Sequence, residues 1–231
     1  MDTQSIAQRF HLIQDRIRQA NHQPTQAVTL IAVSKTQPIE AIEALYQLGH
    51  RDFGENYAQE LAGKAQALEE RGFTGIRWHF IGHLQTNKVK LIIPYAYSVH
   101  SVDSERLALE LAKRWGSAGR VGKLPVFIEV NVDQEETKGG IKAESVPSLA
   151  LKIWEIPELS LEGLMCIPAP AANGKSNRDA FIRLRELDQK CRPWTRHQLS
   201  MGMSADFELA IAEGATHVRV GTSIFGERKT V

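Results

Sequence analysis

TLIAVSK, residues 29–35, is a short apolar run that ends on a serine and a lysine. An amphipathic stretch over 38–48 follows, with a proline suited to a first helical turn and Gly49 suited to the stop. This strand-then-helix unit recurs along the chain. Further strands are expected over 52–54, 77–81, 97–102, 125–130, 161–165, 197–199 and 217–220. Between them, one helix starts near Asn56 with Tyr57, Leu61, Ala65 and Leu68 on one face, and a shorter one follows Gln85. Another carries Leu107, Leu111 and Trp115 behind a cap at Asp103 or Ser104. The remaining helices are expected over 146–154, 177–191 and 205–213, the last with Ser204 as its cap and Gly214 as its stop.

Eight alternations in 231 residues point to the α/β class and a single (β/α)8 TIM-type barrel, which needs roughly 200 or more residues. An open doubly wound sheet would accommodate the same alternation. About ten residues follow the eighth strand, too few for a full outer helix. Ile6, Phe10, Ile13 and Ile17 recur at helical spacing, so an N-terminal helix is expected to cover the position after the last strand. Residues 1–231 read as one domain, with no linker or repeat; the most loop-like stretch is 168–176.

Composition narrows the function classes. Hydrophobic residues make up 42% of the chain and the formal net charge is +1. Neither a nucleic-acid footprint nor a membrane-surface patch is expected from that balance. The longest apolar runs, 30–33 and 91–93, are too short to span a bilayer. Two cysteines, Cys166 and Cys191, stand far apart, which fits a reducing, cytoplasmic setting without disulfides.

In a barrel the chemistry collects where strands end at their C-terminal side. There the sequence offers Lys35, Glu55, Asn56, His83, Gln85, Asp103, Asn131, Cys166, Ser200, Gly202, Ser204, Gly221, Thr222 and Ser223. Lys35 ends an apolar strand, so its amine is expected in the barrel mouth, where partial desolvation favours imine formation with aldehydes. The plain alternative is a lysine snorkelling from a strand end. Ser200–Met201–Gly202–Met203–Ser204 and Gly221–Thr222–Ser223 follow strands seven and eight, where barrels frequently hold phosphate. Hydroxyls and exposed backbone N–H groups there supply an anion cradle. Three other features carry less. Residues 116–123 only superficially resemble a P-loop, because they precede a strand. His79 and His83 lack the glutamate of a zinc-protease motif, so His79 reads as a packed strand histidine and His83 as a site-edge residue. Nothing places a base beside Cys166.

Longer motifs carry a resemblance. Ala32–Val33–Ser34–Lys35–Thr36, Phe53–Gly54–Glu55–Asn56–Tyr57 and Trp78–His79–Phe80–Ile81–Gly82–His83–Leu84–Gln85 resemble the pyridoxal-phosphate homeostasis protein family. So do Gly163–Leu164–Met165, Leu199–Ser200–Met201–Gly202–Met203–Ser204, Val218–Arg219–Val220–Gly221–Thr222 and the run 131–140 with Glu136, Lys138 and Gly140. The resemblance implies a barrel similar to the N-terminal domain of alanine racemase, with pyridoxal 5′-phosphate (PLP) as cofactor at its mouth. It implies a Schiff base on Lys35, with Ser200, Gly202, Ser204, Gly221 and Thr222 around the phosphate. Asn56 would line the pyridine pocket, and Arg219 would stand near the pyridine nitrogen.

An arginine there is a pure donor and leaves the ring nitrogen unprotonated, which weakens the cofactor as an electron sink. Racemisation would also need an acid or base on the second face. In alanine racemases that group comes from another domain; here only Tyr57 or His83 could substitute. The expected function is therefore a non-catalytic PLP carrier or regulator in intracellular PLP homeostasis, monomeric, passing PLP to PLP-accepting enzymes. The alternatives are a PLP-dependent amino-acid racemase and a barrel using Lys35 for Schiff-base chemistry on a phosphorylated sugar.

Overall fold

The computed structural model describes residues 3–22, 27–133, 135, 139–169 and 176–226. Eight parallel strands close into a barrel in chain order: β1 (Thr29–Val33), β2 (Asp52–Glu55), β3 (Arg77–Phe80), β4 (Ala96–Val102), β5 (Leu124–Glu129), β6 (Leu159–Met165), β7 (Gln198–Met203) and β8 (His217–Val220). Closure rests on β1 pairing with β8, in the register Leu30↔Val218 and Ala32↔Val220. The open-sheet alternative is thereby removed. The helices are α1 (Thr3–Ala20), α2 (Ile39–Gln47), α3 (Ala58–Glu70), α4 (Val89–Ile92), α5 (Glu105–Ser117), α6 (Val146–Trp154), α7 (Arg178–Lys190), α8 (Phe207–Ala212) and α9 (Thr222–Phe225). No helix among the described residues is long and apolar enough to cross a membrane.

The amphipathic pattern of α1 does what its spacing predicts. Ile6, Phe10, Ile13 and Ile17 are buried, and the helix packs against α2, α8 and α9, filling the gap left after β8. Arg9 Nε donates to the Ile224 carbonyl at 2.7 Å, and Arg16 pairs with Glu208 on α8. Ser104 caps α5 through the Leu107 N–H, resolving the choice between Asp103 and Ser104.

Two expectations near β7 need correction. The strand runs to Met203, well past the expected 197–199, because Ser200 pairs with Met165 on one side and His217 on the other. Its apolar alternation is hidden by serine and glycine. The register shifts between Ser200 and Met203, around Gly202 with φ 89°, as in a bulge. Ser204 does not cap α8. Asp206 precedes that helix and its Oδ1 accepts the Met203 N–H at 2.7 Å, while Ser204 Oγ faces the Gly221 N–H at 3.4 Å.

Candidate functional site

The strand end that carries Lys35 is braced from below. Ser34 is buried; its N–H donates to the Gly54 carbonyl at 3.0 Å and its hydroxyl to Glu55 Oε1 at 2.7 Å. Lys64, from α3, donates to the Ser34 carbonyl (2.6 Å), to Glu55 (2.8 Å) and to Glu60 (2.7 Å). Glu60 also accepts the N–H of Thr36, which holds a left-handed φ of 61°, rare for a β-branched residue. The turn that aims Lys35 is therefore fixed by a buried Lys64–Glu55 pair. Burial pushes the Glu55 carboxyl up to about 6 although Lys64 pulls it down.

Lys35, Asn56, Ser204, Arg219, Gly221 and Thr222 share the wall of one cavity of about 280 Å³ at the C-terminal end of the strands. Val33, Ile81, Ile167 and Met203 supply its apolar surface. That size is slightly below the span of roughly 300–1,000 Å³ usual for small-molecule sites. Asn56 Oδ1 is buried without a hydrogen-bond partner, an acceptor available to a ligand. Gly221 approaches β1 closely: a Cβ there would lie 3.2 Å from the Val33 carbonyl oxygen. The amides of Thr222 and Ser223 open α9 and have no acceptor within it.

Six of the eight residues read from the sequence thus meet; Ser200 and Gly202 stand behind the wall. Ser200 is wholly buried in β7, and its hydroxyl serves Arg219 (2.7 Å) and His100 (2.9 Å). Gly202 answers a packing need, since a Cβ there would lie 2.5 Å from the Ala210 Cβ. Arg219 is buried, donating to Ser200 Oγ and to the Cys166 carbonyl (2.8 Å). Of its five N–H donors, two are thus used within the barrel.

The other residues named from sequence lie elsewhere. Tyr57 is 56% exposed, the His83 ring lies 3.7 Å from Asp103, and neither lines the cavity. Asn131 is engaged with Glu135 of its own loop. The Cys166 thiol is buried and its pKa pushed up to about 12, which leaves no thiolate for catalysis. Glu136 and Lys138 lie outside the described residues, as does 170–175 of the expected loop. His79 is buried within β3, as expected of a packed strand histidine.

Sequence reasoning missed Lys64, although a signal was present. It falls three residues after Leu61 and four before Leu68, within the buried stripe of α3. It also missed Gln37, Ala205 and Gly226 on the cavity wall, for which neighbouring polar chemistry gave no cue.

The model of the alanine racemase N-terminal domain family matches residues 2–229 of this closed barrel. The pyridoxal phosphate homeostasis protein of Pseudomonas aeruginosa is 43% identical over 229 residues, covering 97% of this chain and 96% of its own. The protein of that name from Escherichia coli is 40% identical over 208 residues, 88% of this chain and 87% of its own. The chain belongs to the pyridoxal phosphate homeostasis protein family. Among solved structures, PipY of Synechococcus elongatus with PLP bound superposes with a TM-score of 0.83 at 32% identity, covering 96% of this chain and 100% of that one. Alanine racemase from Corynebacterium glutamicum shares the fold alone, with a TM-score of 0.71 at 15% identity over 99% of this chain and 62% of that one.

Proposed function

We propose that this protein binds PLP as a Schiff base on Lys35 and acts in intracellular PLP homeostasis as a non-catalytic, monomeric carrier that delivers PLP to accepting enzymes in the cytoplasm. One observation carries the reading: an amine, two loops of hydroxyls and amides, and a buried guanidinium face a single cavity of about 280 Å³. The donor set fits the group. PLP, when bound, supplies an aldehyde for an amine to capture and a ring that withdraws electrons. Lys35 is the amine on the cavity wall, whereas Lys64 is held by three acceptors. Ser204, Gly221, Thr222 and the first amides of α9 would take the phosphate, Asn56 would line the ring, and Arg219 would donate to the ring nitrogen. Ser200 and Gly202 would contribute from behind, by holding Arg219 and by letting β7 approach α8.

A carrier accounts for the site better than a racemase does. Neither Tyr57 nor His83 reaches the cavity to serve a second substrate face, and a guanidinium donor leaves the ring a poor electron sink. Protein purified without added cofactor should be yellow, and borohydride followed by peptide mapping should place a pyridoxyl-phosphate adduct on Lys35. Lys35→Ala should be colourless. Colourless wild-type protein that stays unmodified after incubation with PLP would refute the binding site. Amino-acid turnover abolished by Lys35→Ala would refute the carrier role.

A further inference from the structure

Barrel interiors are ordinarily filled with branched apolar side chains. Here a polar column crosses the interior. At the N-terminal end of the strands, Arg77 Nε donates to Asp52 Oδ1 at 2.6 Å. Asp52 Oδ1 also lies 3.0 Å from His79 Nε2. His79 Nδ1 meets Ser98 Oγ at 2.7 Å and His100 Nε2 at 3.1 Å, and those two are 2.9 Å apart. His100 Nδ1 lies 2.9 Å from Ser200 Oγ, which accepts from Arg219 at 2.7 Å. His79, Ser98, His100 and Ser200 are all buried.

The carboxylate end orders the protons, because the alternative, with His79 Nδ1 and His100 Nε2 both as acceptors, would set two lone pairs face to face at 3.1 Å. A carboxylate only accepts, so His79 carries its proton on Nε2 and leaves Nδ1 as an acceptor. Ser98 then donates to His79 Nδ1, and His100 Nε2–H donates to Ser98. His100 Nδ1 is left as an acceptor and takes the Ser200 hydroxyl proton. The Ser200 lone pairs therefore face Arg219, a group that can only donate. Phe127 stacks on His100 with ring centroids 4.2 Å apart, and His217 closes its edge at 5.7 Å, which holds the ring in line. Desolvation keeps both imidazoles neutral, as this pattern requires. Among the described residues the side-chain hydrogen bond of Arg219 goes to Ser200 and to no carboxylate; Glu129 and Asp206 act on its charge only through space. The negative charge that faces it through hydrogen bonds is Asp52, at the far end of the column.

We propose that Asp52 is a positioning residue for Arg219, acting through the oriented chain His79–Ser98–His100–Ser200 to hold the guanidinium toward the cavity. A hydrogen-bond chain polarised in one direction strengthens each of its links. The last arm of the test rests on the cavity being the PLP site; the first arm does not.

Nuclear magnetic resonance of cofactor-free protein, with 15N-labelled histidine and arginine, tests the column directly. His79 and His100 should both be neutral Nε2–H tautomers at pH 7, and Arg219 should show resolved, slowly exchanging Nη protons. Asp52→Asn removes the charge and can present an N–H to His79, so His100, two links away, should become a tautomer mixture and the Arg219 resonances should merge. Ser98→Ala should keep the wild-type tautomers, because His100 Nε2–H can reach His79 Nδ1 directly. In the last arm, PLP titration of Asp52→Asn should show affinity weakened by roughly tenfold, the lower end of what losing a residue that orients a metal ligand costs, with unchanged circular dichroism. His100 protonated on Nδ1 in the wild type would overturn the proposal, even if the variants fail to fold. Unchanged His100 and Arg219 signals in folded Asp52→Asn would overturn it equally. The expected tautomers in a protein that does not take up PLP would sustain the column and defeat the PLP reading alone.

Discussion

Lys35 and Lys64 reach the same turn with opposite employment. Lys35 lines the cavity, while Lys64 compensates a wholly buried glutamate and pins the carbonyl of Ser34. Removing Lys64 would leave Glu55 as an unpaired buried charge, which costs about 3–5 kcal/mol. The sign of the pH effect follows from the upward displacement of the Glu55 carboxyl. Its protonated form is favoured in the folded chain, so its contribution is present below pH 4.5 and lost as pH rises through about 6. Lys64→Met should therefore lose most stability, relative to wild type at the same pH, at pH 7.5 and regain part at pH 5. Urea midpoints at the two pH values measure this; an equal deficit at both would contradict the pairing. Lys35 itself was legible because it ends an apolar strand. The histidine column was legible only in part: His79 sits between Trp78 and Phe80, and Ser98 and His100 flank Val99, a period of two. Which parity faces inward emerges only once the sheet closes.

At the level of elements, periodicity served wherever a side chain declared its burial. The α1 stripe is an example, and Phe10→Ala should cost about 3–5 kcal/mol. Leu12, 57% exposed on the same helix, should cost less than about 0.5 kcal/mol when replaced by alanine. Chemical denaturation of the pair checks the facing of the helix. Periodicity failed at β7, where serine, methionine and glycine replace β-branched residues and a positive-φ glycine breaks the register. Gly202→Ala meets both a clash and a left-handed backbone, so a loss of at least about 2 kcal/mol is expected. Gly221→Ala has an ordinary φ of −116° and only the 3.2 Å approach to Val33, and should cost less. A reversed ranking would count against the described bulge.

Across the whole molecule, the buried histidines set the response to acid. Burial lowers His79 and His100, takes His217 to about 3 and takes His50 to about 4. For each, the folded chain binds the proton less tightly than the unfolded chain, so stability is full above pH 6.5 and lost as pH falls. Each such histidine costs about 1.4 kcal/mol per pH unit below its ordinary pKa. Together they outweigh the opposite contribution of Glu55. Thermal melts should hold level from pH 7.5 to about 6.5 and decline from there to pH 5; a profile flat down to pH 5 would mean that the interior imidazoles are not held neutral. The eightfold alternation, and Lys35, Asn56, Ser204, Gly221 and Thr222 on the cavity wall, were readable because strand ends in a barrel all point one way. That Ser200 and the Cys166 carbonyl support Arg219 was not, because those contacts come from pairing across elements distant in sequence.

The pairing of β1 with β8 has a consequence for a chain made in one direction. Lys35 leaves the ribosome roughly 10–40 s before Thr222 at ordinary translation rates. Through that interval the amine exists without the opposite wall of its cavity, because Arg219, Gly221 and Thr222 have not been made. Stable capture of a ligand between those walls can occur only after the last strand has seated against the first. A nascent or truncated chain that stops short of β8 thus cannot sequester the ligand in this cavity, and occupancy there certifies that β8 has been made and has closed the barrel against β1.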